Sequence, residues 1–177
     1  MIEVINILLI IILIFVLIAL FLKLYDLLSP SEAPFVSSPE HLYPQLFKAM
    51  KIQTNDRVCD LGCGNGKFLV YCSKLQPKAI YLGVEIGVIP FLLSRFNTRN
   101  HRNIKIIYDD INQFDIPKSL KIYAYLSPNG IDKIIKKAPK DSILYSLNFK
   151  SSKAKSISII KLKNPTSIAK SIYVYEI

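Results

Sequence analysis

The chain begins with an uninterrupted apolar block. From Val4 to Leu22 it reads VINILLIIILIFVLIALFL, nineteen residues in which Asn6 is the only strongly polar one. As a helix this run spans roughly 28 Å, close to the hydrocarbon thickness of a bilayer. The pattern then changes. Residues 29–39, SPSEAPFVSSP, mix Ser with Pro and predict an extended linker, whose apolar pair Phe35 and Val36 is expected to dock on the C-terminal domain. Ser38 before Pro39 reads as an N-cap with Pro at N1, opening a helix to about Lys51 with Leu42, Leu46, Ala49 and Met50 on its apolar face. Beyond it, short β-branched runs alternate with helical patterns. Strands are expected near 57–61, 80–85, 104–108, 121–126 and 142–148, and helices near 66–75, 88–99 and 129–137. That alternation marks a parallel sheet with crossover helices. Two last alternating runs, Ser156 to Leu162 and Ser171 to Ile177, flank Asn164-Pro165 and predict a closing antiparallel hairpin.

The apolar block has the features of a permanent anchor. A cleaved signal peptide carries a basic start and a small-residue cleavage site, whereas this segment starts Met-Ile-Glu and its one candidate site, Ser31-Glu32-Ala33, runs into Pro34. Glu3 precedes the block and Lys23 comes after it, so the positive-inside rule puts the C-terminal domain on the cytoplasmic side. Three cysteines, an odd number without repeated spacing, fit a reducing compartment and not a disulfide scaffold. The organisation expected is therefore a transmembrane anchor over 1–28, a linker over 29–39 and one domain over 40–177. A chain of 177 residues excludes two-domain dehydrogenases, kinases and α/β barrels.

Charge is uneven. Residues 1–90 hold seven basic and seven acidic side chains, while residues 91–177 hold sixteen basic and six acidic, which accounts for the whole net charge of +10. A basic half can face anionic lipid, an acidic protein or nucleic acid, or can simply be Lys-solvated surface. No Arg-rich, aromatic-interleaved cluster marks a nucleic-acid interface, and none is expected.

Candidate chemistry concentrates at Arg57 to Gly66, RVCDLGCGNG, a strand running into three alternate glycines and then a helix. Glycines permit positive φ and close backbone approach, and the helix start offers unpaired N–H groups. Glu85 ends the next strand, nineteen residues after Gly66, where a carboxylate can accept both hydroxyls of an adenosine ribose. The spacing is G-x-G-x-G and Asp60 stands two residues before the first glycine. An acid there would repel a pyrophosphate but suits a ligand carrying an ammonium and a sulfonium. A phosphate-binding Walker loop fails as well, since Phe68 follows Lys67 where Ser or Thr should hold magnesium. The ligand best matched is S-adenosylmethionine.

Asp60-Leu61-Gly62-Cys63-Gly64-Asn65-Gly66, Gly83-Val84-Glu85 and Asp109-Asp110-Ile111 resemble the cofactor motifs of the class I, seven-strand S-adenosylmethionine-dependent methyltransferases. The resemblance covers about residues 40–177. It implies an α/β fold, a Rossmann-like doubly wound and mostly parallel seven-strand sheet with a C-terminal antiparallel hairpin, here preceded by one N-terminal transmembrane helix. More narrowly, the apolar start, PFVSSP, Tyr125-Leu126-Ser127-Pro128 and the ending IYVYEI are similar to the small membrane-anchored protein-lysine methyltransferases related to the ATP-synthase c-subunit and adenine-nucleotide-translocase lysine methyltransferases. The chain differs from that group's usual pattern at Phe35, at Ser37-Ser38 and at Gly64-Asn65-Gly66-Lys67.

The resemblance implies that Asp60, Leu61, Gly62, Cys63, Gly64 and Gly66 hold the methionine part, that Glu85 holds the ribose, that Asp110 meets the adenine amino group, and that Ile86 and Ile111 flank the ring. The acceptor would lie near Tyr125 and Ser127, the catalytic candidates, with Phe35, Val36 and Pro128 on the substrate side. The implied substrate is a lysine of a membrane or membrane-proximal protein; a lipid or membrane-dissolved small molecule, or cofactor binding without turnover, are the alternatives. Tyr125-Leu126-Ser127-Pro128 lacks the Asp/Asn-Pro-Pro-aromatic signature of base and glutamine amino-methyltransferases, which lowers nucleic-acid bases as substrate. Methyl transfer from a sulfonium needs no metal, and His41 and His101 with Cys59, Cys63 and Cys72 make no zinc spacing. Those histidines read as a helix-start residue and a surface loop residue, Tyr123 reads equally well as sheet packing, and Lys133, Lys136, Lys137 and Lys140 read as a solvated helix end.

Overall fold

A computed structural model describes residues 2–28, 37–118, 120–167 and 169–177. The expected positions Phe35 and Val36 lie outside the described residues. Helix α1 (Ile2–Leu28) contains the apolar block and outlasts it at both ends. Its span Glu3–Leu24 is long and apolar enough to cross a membrane.

In the folded domain, a 3-10 turn at Glu40–Leu42 leads into α2 (Tyr43–Met50), then β1 (Arg57–Leu61), α3 (Lys67–Leu75), β2 (Ile80–Glu85), α4 (Val88–Thr98), β3 (Ile104–Tyr108), β4 (Lys121–Ala124), α5 (Pro128–Lys137), β5 (Ile143–Leu147), β6 (Ser158–Thr166) and β7 (Ala169–Glu176). The strands form one seven-stranded sheet in the order β3-β2-β1-β4-β5-β7-β6. The first five in that order are parallel, and β7 pairs antiparallel with both β5 and β6. This is the doubly wound fold with a closing hairpin that the alternation predicts.

The sheet is apolar on both faces, which is why its strands lack simple alternation. On one side Val58, Tyr81, Ile106, Tyr123 and Tyr145 pack against Tyr43, Leu46 and Met50 of α2 and Phe68, Leu69 and Cys72 of α3. On the other, Cys59, Leu61, Val84, Ile122 and Leu144 pack against Ile131 and Ile134 of α5 and against Phe114, Ile116 and Leu120. All three cysteines are buried and free.

Two local expectations are corrected. Ser38 does not cap a helix: Pro39 begins the 3-10 turn without a side-chain cap, the α-helix starts only at Tyr43, and the Ser38 hydroxyl instead meets the Tyr123 hydroxyl at 2.6 Å. Asn164-Pro165 is not the hairpin turn. Both residues lie within β6, where the register shifts between Lys161 and Thr166 and Asn164 takes φ +53°. A proline fits there because β6 is the sheet edge and its missing N–H breaks no ladder bond.

Candidate functional site

Strand order reverses at β1, with β2 and β3 on one side and β4 and β5 on the other, so a crevice opens beyond the carboxyl ends of β1 and β4. The loops after β1, β2, β3 and β4 all emerge on this edge. Together with the ends of those strands and the first residue of α5, Pro128, they carry every described site candidate.

The loop after β1 is built on its glycines. Gly62, Gly64 and Gly66 have φ of +82°, +57° and +73°, conformations that cost an L side chain about 1–2 kcal/mol each. Gly62 and Cys63 both donate their amides to the Val84 carbonyl, at 2.9 and 3.0 Å, and Gly66 donates to the Cys63 carbonyl at 2.9 Å. The Asn65 side chain accepts from the Lys67 amide at 3.2 Å, covering one N–H of the α3 start, while Asn97 of α4 donates to the Asn65 carbonyl at 2.9 Å. Gly83 of β2 makes room for the loop from below. A Cβ there would stand 2.8 Å from Cys63 Sγ, 2.8 Å from Leu69 Cδ1 and 2.7 Å from Ile106 Cδ1. Cys63 thus packs down onto the sheet, and burial raises its thiol pKa.

Glu85 is 7% exposed and locks this loop. Its Oε2 accepts from the Gly64 amide at 2.7 Å and its Oε1 from the Gly87 amide at 2.8 Å. Asp60 is 3% exposed and lies between Tyr123 and Gly83 of the neighbouring strands. No hydrogen-bond donor or cation among the described residues pairs with its carboxylate. Burial, and secondarily the charge of Glu85, hold the Asp60 pKa well above the usual carboxylate range. An acid buried beside a second acid lacks the cation that would stabilise its charge. The site therefore suits a ligand bearing positive charge, and it fits the ammonium and sulfonium of S-adenosylmethionine.

The β3 and β4 loops close the crevice. A Cβ on Gly62 would meet Leu126 Cδ2 at 3.3 Å and Ile111 Cδ1 at 3.9 Å, so three loops converge on one glycine. Asp110 accepts from the Asn112 backbone at 2.8 Å and from its side chain at 2.9 Å, while Asp109 accepts from the Asp110 amide at 2.7 Å. Lys137 at the end of α5 donates to the Ile111 and Asn112 carbonyls at 2.9 and 3.2 Å. The expectation that Lys137 is merely a solvated helix end is corrected, because it fixes the Asp110-Ile111 loop. Ile86 is half-buried just beyond β2.

Beyond the end of β4, Tyr125 is half-buried with its ring 5.7 Å from that of Phe149, and burial raises its hydroxyl pKa. Ser127 is the N-cap of α5, accepting from the Gly130 amide at 3.3 Å, and Pro128 is its exposed N1 residue. Tyr123 is fully buried against Phe68 at 4.7 Å, and burial, then the Asp60 charge, raise its hydroxyl pKa. The Ser38–Tyr123 bond spans 85 residues, and no local signal could have revealed it. His101, in the loop between α4 and β3, is half-buried with its Nδ1 3.1 Å from the Ser73 hydroxyl. Among the described residues no group of three or more His, Cys, Asp and Glu could hold a metal ion.

A family described as putative methyltransferase matches residues 54–136, which span the glycine loop, Glu85, Asp110 and the end of β4. Among curated proteins none matches the sequence. The fold is similar to an RNA methyltransferase from Salinibacter ruber solved with S-adenosyl-L-homocysteine, at TM-score 0.70 and 17% identity over 79% of this chain and 92% of that one. It is also similar to an S-adenosylmethionine-dependent O-methyltransferase from Thermotoga maritima, at TM-score 0.65 and 13% identity over 82% of this chain and 68% of that one. A methyltransferase from Thiobacillus denitrificans, solved with S-adenosyl-L-homocysteine, matches at TM-score 0.53 and 13% identity over 83% of this chain, which spans 58% of that relative. Sheet order, glycine loop, strand-end acids and these likenesses agree, and the chain has the class I S-adenosylmethionine-dependent methyltransferase fold.

Proposed function

We propose that this chain is a membrane-anchored, S-adenosylmethionine-dependent methyltransferase that acts on a lysine side chain of a membrane or membrane-proximal protein. Residues 1–28 serve as anchor, 29–39 as linker and pre-motif, and 40–177 as catalytic domain. The observation that carries the reading is the buried Asp60 carboxylate, without a partner among the described residues, under a positive-φ glycine loop that Glu85 locks from the side.

Asp60 binds the ammonium of the methionine part, with the Leu61 to Gly66 backbone around it. Glu85 accepts from the ribose hydroxyls while keeping its loop amides, since each carboxylate oxygen has two lone pairs. Ile86 and Ile111 sandwich the adenine, and Asp110 accepts from its amino group. When bound, the cofactor supplies an already activated methyl group on a sulfonium. The chain's remaining tasks are to align the acceptor and to favour its neutral form. A lysine has a reference pKa near ~10.4, so a dry, aromatic-walled approach is needed to disfavour the ammonium. Tyr125 and Phe149 provide such a wall. Because burial raises the Tyr125 hydroxyl pKa, it stays protonated at neutral pH and acts as a hydrogen-bonding group, not a base. Ser127 positions the same corner by starting α5, and Phe35, Val36 and Pro128 complete the substrate side.

The lysine acceptor is supported by the narrower sequence resemblance and by an apolar helix that would keep the domain near membrane proteins. The test is to supply the full-length protein with methyl-labelled cofactor in native membranes and to follow the label. Methyl-lysine in a membrane protein is the expected result. Label in lipid or RNA would replace the acceptor, and no label above that of a Glu85→Ala variant would remove the activity.

A further inference from the structure

Helix α4 leaves three of its large apolar side chains exposed. Its buried positions are Ser94 and Thr98, whose hydroxyls bond back to the Phe91 and Ser94 carbonyls at 2.7 and 2.8 Å, while Leu92, Leu93 and Phe96 are 54%, 49% and 62% exposed. The cause lies in the cofactor loop: a Cβ on Gly66 would stand 3.2 Å from Ser94 Cβ and 3.3 Å from Thr98 Cγ2, so α3 and α4 meet where only small residues fit. While Phe91 stays partly buried against the core, Leu92, Leu93 and Phe96 fall on the opposite side, at helical spacing. Arg95 and Arg99 flank them, and the Arg99 guanidinium sits 3.8 Å over the Phe96 ring. From Val88 to Lys105 there are four basic side chains, all exposed, and no acidic one.

We propose that this face of α4, centred on Leu92, Leu93 and Phe96 and framed by Arg95 and Arg99, docks on the anionic headgroup surface of the bilayer that holds the N-terminal helix. The proposal rests on the reading of α1 as a membrane anchor. Charge selects the occupant. Two copies meeting through this face would press arginines against arginines, whereas anionic headgroups meet the arginines as the apolar tips enter the interface. The covalent tether keeps the domain within reach of that bilayer, since residues 29–39 span at most ~40 Å fully extended. Docking on α4 would fix how the domain's crevice faces the membrane and so which lysines reach it.

The sequence contains no Trp, so single tryptophans report cleanly. Full-length Phe96→Trp, Phe15→Trp and Ile157→Trp variants would be reconstituted into phosphatidylcholine vesicles with brominated acyl chains, with and without phosphatidylserine. Ile157 is exposed beside β6, at the other edge of the sheet. Phe96→Trp should be quenched when phosphatidylserine is present, Ile157→Trp should not, and Arg95→Gln or Arg99→Gln should weaken the phosphatidylserine-dependent binding that the quenching reads by roughly fivefold each. Quenching at position 15 without quenching at position 96 overturns the docking and leaves the anchor standing. Quenching at neither overturns both, and quenching at 96 alone overturns the anchor and, with it, docking on a bilayer that holds α1. A blue shift at position 96 that grows with protein density but resists the brominated lipid would mean pairing with a second copy and would overturn the lipid proposal.

Discussion

The Gly64 amide donates to Glu85 Oε2 at 2.7 Å, tying the middle glycine of the loop after β1 to the acid that ends the neighbouring strand. With Gly87 bonded to Oε1, both carboxylate oxygens face backbone donors. An amide cannot replace this acid, because its NH₂ would meet an N–H. Glu85→Gln and Glu85→Ala should therefore both weaken S-adenosylmethionine by at least about tenfold, since a charge-assisted bond is worth about 1.5–3 kcal/mol. Calorimetry checks the affinity, and thermal melts should show the loop destabilised even without ligand.

Asp60 predicts opposite signs for stability and binding. Its folded pKa is raised above the reference of 3.8 by burial first and Glu85 second. The native state therefore holds this proton more tightly than the unfolded chain, and ionisation costs stability as pH rises from about 4 through the folded value. Asp60→Asn should raise the melting temperature at neutral pH by a few degrees, about 2–4 °C per kcal/mol. The gain should vanish below pH 4, and ligand affinity should fall at every pH above it. Melts across pH with and without S-adenosylhomocysteine measure both.

Gly83 should tolerate no side chain while Cys63 keeps its own. Gly83→Ala places a methyl within 2.8 Å of Cys63 Sγ, an overpacking that costs about 1–3 kcal/mol. Adding Cys63→Ala should recover part of the loss, with a coupling of at least about 0.5 kcal/mol in a double-mutant cycle by chemical denaturation.

Asp132 of α5 accepts from the Ser151 and Ser152 hydroxyls and from the Ser152 amide, pinning the loop after β5. These bonds, the Ser151 hydroxyl first, hold its pKa below the reference of 3.8. The stability they contribute is present above that value and is lost as pH falls through the lower, folded one. Asp132→Asn should melt earlier than wild type at neutral pH, and the two curves should converge in acid.

Legibility in the sequence depends on the range of the interaction. Strands 57–61, 80–85 and 104–108 are readable because β-branched runs end in local stop signals, and the glycine loop with Glu85 is readable because its spacing is local too. Ser38 misleads, since its hydroxyl meets Tyr123 instead of the adjoining helix, and nothing near either residue encodes that choice. Lys137 looks like any helix-end lysine until the fold brings the Ile111 and Asn112 carbonyls to it. In α4 the helical periodicity alone would turn Leu92 and Phe96 inward, but the close approach of Gly66 reserves that side for Ser94 and Thr98.

Asp60, buried and without a partner among the described residues, lies beneath the glycine loop, where we propose that it selects a cationic adenosyl cofactor. The most direct measurement is a calorimetric titration of the full-length protein, in detergent, with S-adenosylmethionine and with NAD, in two buffers of different ionisation enthalpy. Binding of S-adenosylmethionine, with a buffer-dependent heat from proton release by Asp60 that grows as the titration pH is lowered, is the predicted result. Tighter binding of NAD, or no binding of S-adenosylmethionine by the wild-type chain, would contradict it.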